Sequence, residues 1–222
     1  MIMAVDESPR WTAMRALEAR GAIAVVRLES ADDAVRAAEA VAEGGVEAIE
    51  ITMTTPGATD AIRRLAGREK MLVGAGSVLD CESARRALGA GARFIVSPVF
   101  LPQLVPVADE GGAAVMLGAF SPTEILAAHR AGADAVKLFP ADSLGPAFIK
   151  GVLGPMPFLR LVPTGGVTPE NAGDWLRAGA VAVGLGGALV DPKKVAAGHF
   201  AALTQRARAA AAAVASARGA GP

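Results

Sequence analysis

Eight short apolar runs, each placed just after a glycine, constrain the fold of this chain more than any other feature. The runs are spaced 20 to 25 residues apart, and a stretch of helical periodicity follows each one. This order predicts parallel strands joined by crossover helices, with each glycine ending a helix in the left-handed conformation. The glycines are Gly21, Gly45, Gly67, Gly91, Gly112, Gly132, Gly154 and Gly179.

The number of βα units predicts a closed barrel. Eight units fill the chain from residue 21 to about residue 205, which is the number in a parallel (β/α)8 TIM barrel. Residues 8–20 are predicted to form an extra N-terminal helix. An open doubly wound sheet is the alternative, although neither glycine motif at 74–76 or 184–186 extends to a dinucleotide-binding fingerprint.

The length of 222 residues suits one domain and is short for two. We expect a single barrel domain over residues 1–206 and an alanine-rich tail over residues 207–222 that frays. Three Ser/Thr-Pro pairs predict helix starts at 55–56, 121–122 and 168–169. The first residues lack the pattern of a signal peptide and no stretch is apolar enough to span a membrane, so we expect a cytoplasmic protein.

The charge balance and the side-chain inventory exclude several functions. The 22 Lys and Arg residues balance 22 Asp and Glu residues, so no basic field gathers nucleic acid. With no tyrosine, one cysteine and two histidines, a His-rich metal cluster or a Ser-His pair has few residues to draw on. His129 and His199 are predicted on helices away from strand ends. We therefore expect no nucleic-acid partner, no membrane partner, and no metal or other cofactor.

Three predicted strands carry a charged residue where a parallel barrel is expected to be apolar. Arg27 closes the first strand, Glu50 ends the second and Lys137 lies in the sixth. Because side chains alternate along a strand, Glu50 shares a face with Thr52, and Lys137 with Phe139. Active sites of these barrels lie at the C-terminal ends of the strands, so we expect both charges at the barrel mouth.

Lys137 is enclosed by valine, leucine and phenylalanine, whereas the other four lysines lie in turns or polar helix ends. Desolvation disfavours an ammonium ion, and the neutral amine is a nucleophile that forms a Schiff base with a carbonyl. Glu50 would then shuttle protons at the substrate. A structural ion pair between Lys137 and Glu50 is the alternative.

Paired glycines follow the seventh and eighth predicted strands, at Gly165-Gly166 and Gly186-Gly187. Backbone N–H groups at such loops approach a phosphate closely, although two tight turns would also explain the glycines. A lysine, a glutamate and a phosphate cradle together favour aldolase-type or related carbonyl chemistry on a small phosphorylated sugar acid.

Five blocks of the sequence carry a resemblance to a known family. They are GVEAIEIT at 45–52, GAGSVL at 74–79, FIVSP at 94–98, VKLFPA at 136–141 and PTGGV at 163–167. In combination, and over residues 10 to 205, the chain resembles the 2-keto-3-deoxy-6-phosphogluconate (KDPG) / 4-hydroxy-2-oxoglutarate (KHG) aldolase family. The resemblance implies a barrel enzyme, usually a homotrimer and metal-independent, that cleaves a phosphorylated keto acid to pyruvate and glyceraldehyde 3-phosphate.

The resemblance also implies roles for single residues. Lys137 takes the place of the Schiff-base lysine, Glu50 that of the general acid/base acting through water, and Ser77 that of the residue holding the pyruvate carboxylate. The phosphate loops correspond to Thr164, Gly165, Gly166, Gly186 and Gly187. The remaining predicted substrate-binding residues are Arg27, Thr52, Thr54, Pro98 and Phe139.

Departures from the family pattern leave alternatives open. Thr54 stands where many members have an arginine for the carboxylate, a task that Arg27 would then share, and Ala188 replaces a serine of the phosphate site. The block GPAFIK at 145–150 resembles phosphogalactonate aldolases, whereas Thr164 favours the gluconate form. A phosphosugar isomerase or epimerase using Glu50 as base, and a non-catalytic metabolite-binding barrel, stay as alternatives.

Overall fold

A computed structural model describes residues 8–219, in which eight β-strands alternate with α-helices. The strands are β1 (Ala22–Val26), β2 (Ala48–Thr52), β3 (Leu72–Gly76), β4 (Phe94–Val96), β5 (Ala114–Ala119), β6 (Ala135–Leu138), β7 (Leu161–Pro163) and β8 (Val183–Leu185). The helices are α1 (Pro9–Arg20), α2 (Ala31–Glu43), α3 (Ala58–Ala66), α4 (Cys81–Gly89), α5 (Leu104–Glu110), α6 (Pro122–Arg130), α7 (Pro146–Leu153), α8 (Ala172–Arg177), α9 (Pro192–Ala196) and α10 (Phe200–Gly219), with a 3-10 turn at Ala141–Ser143.

The strands pair in parallel in the order β7-β6-β5-β4-β3-β2-β1-β8. On the remaining side, a parallel bridge joins Thr164, directly after β7, to Gly184 of β8. The sheet therefore curves into a nearly closed barrel with helices between successive strands. The predicted (β/α)8 fold is confirmed, and the open-sheet alternative is wrong.

Apolar side chains fill the N-terminal half of the barrel interior. Ile23, Phe94 and Met116 point inward from β1, β4 and β5 and are buried. Met14 and Leu17 of α1 are completely buried against the same cluster, so the predicted N-terminal helix closes this end of the barrel. Polar chemistry is thereby confined to the opposite end, where the strands terminate.

The predicted helix signals are confirmed in part. Ser121 and Glu124 form a capping box at the start of α6. The other two predicted starts are wrong because a turn precedes each helix: Gly57 is the N-cap of α3, and Asn171 is the N-cap of α8.

Most of the repeating glycines have the expected positive φ, but Gly67 and Gly154 do not. Their φ angles are −86° and −51°, so the prediction of a left-handed C-cap is wrong at these two positions. The connection from Gly154 to the next strand is longer than predicted, since β7 begins only at Leu161. The chain leaves α7 through this extended turn instead of through one left-handed residue.

The prediction of a fraying tail is wrong for residues 207–219, which continue α10. Ala207, Ala210 and Val214 are buried, and α10 packs against α2 and α8. The small alanine side chains allow this close approach. Residues 220–222 lie outside the described residues, and the single barrel domain over residues 1–206 stays a prediction. None of the helices within residues 8–219 is long and apolar enough to cross a bilayer.

Candidate active site

Lys137 and Glu50 meet inside the barrel mouth. Each is the third residue of its strand, β6 and β2, and their side chains point inward as the alternation predicts. The Lys137 Nζ lies 3.5 Å from the Glu50 Oε1, and the two residues are 5% and 2% exposed. Withdrawing two charged groups from water is costly, so their juxtaposition needs the close mutual contact that the structure provides.

Gly76 on β3 makes room for the Glu50 carboxylate. A Cβ at position 76 would lie 1.9 Å from the Glu50 Oε1, which no side chain tolerates. Gly76 pairs with Thr52 on the neighbouring strand, so the last residue of β3 faces the end of β2. The glycine motif at 74–76 thus serves close packing beside a buried acid.

A cavity of about 690 Å³ opens at the C-terminal ends of the strands. Its volume suits a small phosphorylated acid. The Lys137 Nζ lies 5.3 Å from the centroid of the Phe139 ring, which also lines the cavity. Ten of the thirteen predicted site residues form its wall: Arg27, Ser77, Pro98, Lys137, Phe139, Thr164, Gly165, Gly166, Gly186 and Gly187.

The other three predicted site residues do not line the cavity. Glu50 contacts Lys137, which does. Thr52 is completely buried, and its hydroxyl lies 3.0 Å from that of Thr54 and 3.3 Å from that of Thr55. These threonines form a hydroxyl cluster at the end of β2, beside the cavity wall.

Arg27 and Ser77 lie together on the rim, at the ends of β1 and β3. The Arg27 Nη2 donates a hydrogen bond to the Ser77 Oγ at 3.3 Å. Ser77 has a φ of +54°, a left-handed conformation that is uncommon for a residue other than glycine. The pair offers a guanidinium and a hydroxyl to an anionic group of a ligand.

The loops after β7 and β8 present backbone donors to the cavity. Among the described residues, the N–H groups of Gly166, Gly187 and Ala188 donate to no other group of the protein. Gly165 and Gly166 have φ angles of +95° and +69°, a conformation that favours glycine. These donors are available to an anion.

Gly186 and Gly187 are not required by the fold itself. Neither has a positive φ, and a Cβ at either position would meet no atom within 4 Å. Both lie on the cavity wall. Their missing side chains therefore leave space that a ligand can occupy.

Six wall residues were not among the predicted site residues. Alternation along β1 would have indicated Val25, since it lies two residues before Arg27 on the same face. The resemblance had placed Ala188 at the phosphate site as a replacement of serine, whereas Thr168 had only its position, two residues after Gly166, as a signal. The six are Val25, Val167, Thr168, Ala188, Val190 and Pro192.

Neither histidine lines the cavity. The His129 ring on α6 packs against Phe158, with 5.0 Å between the ring centroids. His199 was predicted on a helix, but it lies in the turn between α9 and α10. Among the described residues, no group of three or more His, Cys, Asp and Glu side chains is arranged to hold a metal ion.

Residues 14–206 match a family model described as "Aldolase: KDPG and KHG aldolase". A 2-dehydro-3-deoxy-phosphogluconate aldolase of Treponema pallidum is 37% identical over 195 residues, covering 87% of this chain and 93% of the relative. An enzyme of the same name from Pseudomonas aeruginosa is 39% identical over 173 residues, covering 77% of this chain and 78% of the relative.

A solved structure of KDPG aldolase from Legionella pneumophila has the same architecture. It is 27% identical in sequence, superposes with a TM-score of 0.81, and covers 89% of this chain and 97% of its own. That protein was captured with pyruvate as a covalent carbinolamine intermediate.

Proposed function

Since this chain belongs to the KDPG and KHG aldolase family and is an aldehyde-lyase, we propose that it cleaves KDPG reversibly to pyruvate and glyceraldehyde 3-phosphate through a Schiff base on Lys137. The observation that carries this proposal is the buried Lys137 Nζ on the cavity wall, 3.5 Å from the Glu50 carboxylate. A nucleophilic amine beside a proton acceptor is what imine chemistry requires.

The reaction begins when the neutral amine of Lys137 attacks the keto carbon, C2, of the substrate. The resulting carbinolamine loses water and becomes an iminium ion. This cation then accepts the electron pair of the C3–C4 bond as that bond breaks, giving an enamine and the departing aldehyde.

Glu50 moves the protons of this cycle. Its carboxylate takes the proton of the C4 hydroxyl through a water molecule as the C3–C4 bond breaks, and the carboxyl later returns a proton to C3 of the enamine. Hydrolysis of the iminium ion then releases pyruvate and regenerates the Lys137 amine.

The remaining residues orient the substrate. Ser77 and Arg27 hold the carboxylate, with Thr52 and Thr54 beside them. Pro98 and Phe139 line the cavity. The two glycine loops bind the phosphate through Thr164, Gly165, Gly166, Gly186 and Gly187, with free backbone N–H groups at Gly166 and Gly187.

We propose KDPG rather than its galactonate epimer as the preferred substrate, because Thr164 stands before the glycine pair and the relatives named above are KDPG aldolases. KHG, which would give pyruvate and glyoxylate, is proposed as a second substrate. We propose that this reaction is the carbon–carbon cleavage step of the Entner-Doudoroff pathway and that it takes place in the cytoplasm.

A homotrimer is also proposed. Support comes from an apolar patch on the loops after β3, β4 and β5, formed by the exposed side chains of Leu79, Val99, Phe100 and Phe120. Leu104 and Val107 of α5 do not contribute to this surface, since both are buried in the protein's own core.

Borohydride reduction in the presence of pyruvate tests the mechanism. We expect a stable reduced adduct on Lys137, located by peptide mass spectrometry, and no adduct in Lys137→Arg. Lys150→Arg is the matched control and is expected to keep both adduct and activity. An unmodified Lys137 would contradict the Schiff base. Turnover of a phosphosugar that Lys137→Arg largely retains would favour the isomerase or epimerase alternative.

A further inference from the structure

Arg206 on α10 makes hydrogen bonds to both of the loops that carry the glycine pairs. Its Nε donates to the Ala188 carbonyl at 2.6 Å, in the loop after β8. Its Nη1 and Nη2 lie 3.2 and 3.3 Å from the two carboxylate oxygens of Glu170, in the loop after β7. The planar guanidinium therefore fixes the two partners relative to each other.

Glu170 is in turn connected to the cavity wall. Hydrogen bonds from the hydroxyl of Thr168, which lines the cavity, and from the Glu170 backbone N–H lower the pKa of Glu170, with a smaller effect from Arg206. The Asn171 Nδ2 donates to the Gly166 carbonyl at 2.9 Å. The glycine turn and Glu170 thus belong to one hydrogen-bonded unit.

The loop after β8 forms a second unit. The N–H groups of Leu189 and Val190 donate to the Gly186 carbonyl at 2.8 and 2.9 Å, which closes a tight turn. The bond from Arg206 to the Ala188 carbonyl fixes the outer peptide of that turn. Gly187 and Ala188, whose N–H groups donate to no other group of the described residues, line the cavity beside this peptide.

Arg206 connects these two units from a fixed position. Within residues 8–219, no hydrogen bond directly joins residues 165–171 to residues 186–190. The helix that carries Arg206 is anchored by the Thr204 hydroxyl, which donates to the Ala40 carbonyl at 2.9 Å. The bridge between Thr164 and Gly184 holds the starts of the two loops together, and beyond it Arg206 is the side chain that connects them.

We propose that Arg206 is a positioning residue that holds the two loops at the separation needed to bind the phosphate of the substrate. The inference rests on the proposed function and adds a residue outside the cavity wall. Glu170 balances the charge of Arg206, so its effect comes from geometry rather than from attraction to phosphate. Schiff-base formation with pyruvate, which has no phosphate, does not depend on Arg206.

Arg206→Met tests whether Arg206 affects phosphate binding without affecting Schiff-base formation. We expect KM for KDPG to rise roughly tenfold to a hundredfold because the cradle loosens, while kcat and the rate of borohydride trapping of pyruvate on Lys137 stay unchanged. Inhibition by inorganic phosphate is expected to weaken by the same factor as KM rises. Arg208→Met is the matched control, since Arg208 lies on the same helix and pairs with the exposed Glu43 at 3.6 Å.

Arg206→Lys separates geometry from charge. A lysine keeps the charge but cannot hold both loops at once, so we expect the same rise in KM. A normal KM in Arg206→Lys or in Arg206→Met, or a parallel loss of KDPG affinity and of pyruvate trapping, would overturn the proposal. Failure of the wild-type protein to trap pyruvate would count instead against the proposed function.

Discussion

The position of the Glu50 carboxylate depends on the absence of a side chain at Gly76, and Gly76→Ala tests this dependence by adding a single carbon atom. The new Cβ would lie 1.9 Å from the Glu50 Oε1 and must displace the carboxylate. We expect kcat for KDPG cleavage to fall roughly a hundredfold, since a displacement of about 1 Å in an active site has an effect of this size. Stopped assays of pyruvate formation measure the loss.

The control for this substitution is Gly67→Ala. A Cβ at position 67 meets no atom within 4 Å, and its φ of −86° suits alanine. We expect normal kcat in this variant. If Gly76→Ala kept normal activity, Glu50 would not act as the proton shuttle from its present position.

Of the four glycines in the phosphate loops, Gly165 and Gly166 are required by the backbone conformation, whereas Gly186 and Gly187 are not. Gly166→Ala places a side chain at a φ of +69° and 2.4 Å from the Asp142 Cβ, so we expect a less stable protein. Gly187→Ala meets no protein atom, so we expect an unchanged melting temperature and a higher KM for KDPG. A lower melting temperature in Gly187→Ala, with normal KM, would contradict the assignment of this loop to ligand binding.

The inward-facing side chains could be predicted from the sequence, whereas the contacts between α10 and the loops could not, and the reason is physical. Lys137 and Glu50 follow from the period of two along a strand, which a single sequence displays. The bond between Arg206 and Ala188 joins a helix to a distant loop, and no local pattern indicates it. Thr52 and Thr54 lie beside the wall because the end of β2 folds into a hydroxyl cluster, which depends on tertiary packing.

Among the elements, α1 contributes stability without taking part in the chemistry. Leu17 is completely buried against the apolar end of the barrel interior, opposite to the cavity. We expect Leu17→Ala to lower the free energy of unfolding by about 2 to 5 kcal/mol, as measured by urea denaturation. Its kcat below the unfolding transition is expected to be normal, and a loss of kcat in the folded variant would show that the barrel floor affects the site.

The cap at the start of α6 makes a pH-dependent contribution to the stability of the folded protein. Hydrogen bonds from the backbone N–H groups of Phe120 and Ser121, and from the Ser121 hydroxyl, lower the pKa of Glu124 below its ordinary 4.5. A depressed pKa means that the stabilisation is present above the pKa of the unfolded chain and is lost as the pH falls through the folded value.

We therefore expect Glu124→Gln to be less stable than the wild type at pH 7, by about 0.5 kcal/mol because the group is exposed, and the difference to shrink as the pH falls below 4.5 and through the lower pKa of the folded state. Thermal unfolding at several pH values measures it. Glu110→Gln, at the exposed end of α5, is the control. A difference that persists at low pH would contradict the carboxylate's role in the cap.

Element boundaries were harder to predict than the elements themselves. The capping box at Ser121 is complete within four residues, so the sequence displays it. The start of α8 at Ala172 depends on a turn around Thr168, and the length of α10 depends on burial of Ala210 and Val214 against other helices. Such tertiary contacts stabilise an alanine-rich segment that would fray alone.

For the whole molecule, the eightfold repeat was sufficient to predict the barrel, because eight βα units with right-handed crossovers bring the last strand back to the first. Closure also brings the loops after neighbouring strands together. The Gly118 N–H donates to the Val99 carbonyl at 3.1 Å, so the loop after β4 lies against the end of β5. The Val78 N–H donates to the Val96 carbonyl at 3.1 Å, so the exposed Leu79, Phe100 and Phe120 lie on neighbouring loops of the barrel mouth.

These exposed apolar side chains support a prediction about the homotrimer. Phe100 is 39% exposed within the apolar patch, and Phe158 is 53% exposed at the other end of the barrel, before β7. We expect light scattering after gel filtration to give a trimer for the wild type and for Phe158→Glu, because only the patch after β3, β4 and β5 becomes buried between subunits. Phe100→Glu is expected to dissociate, since it would bury a charge without a partner. A monomeric wild type, or a Phe100→Glu variant that stays trimeric, would contradict this interface.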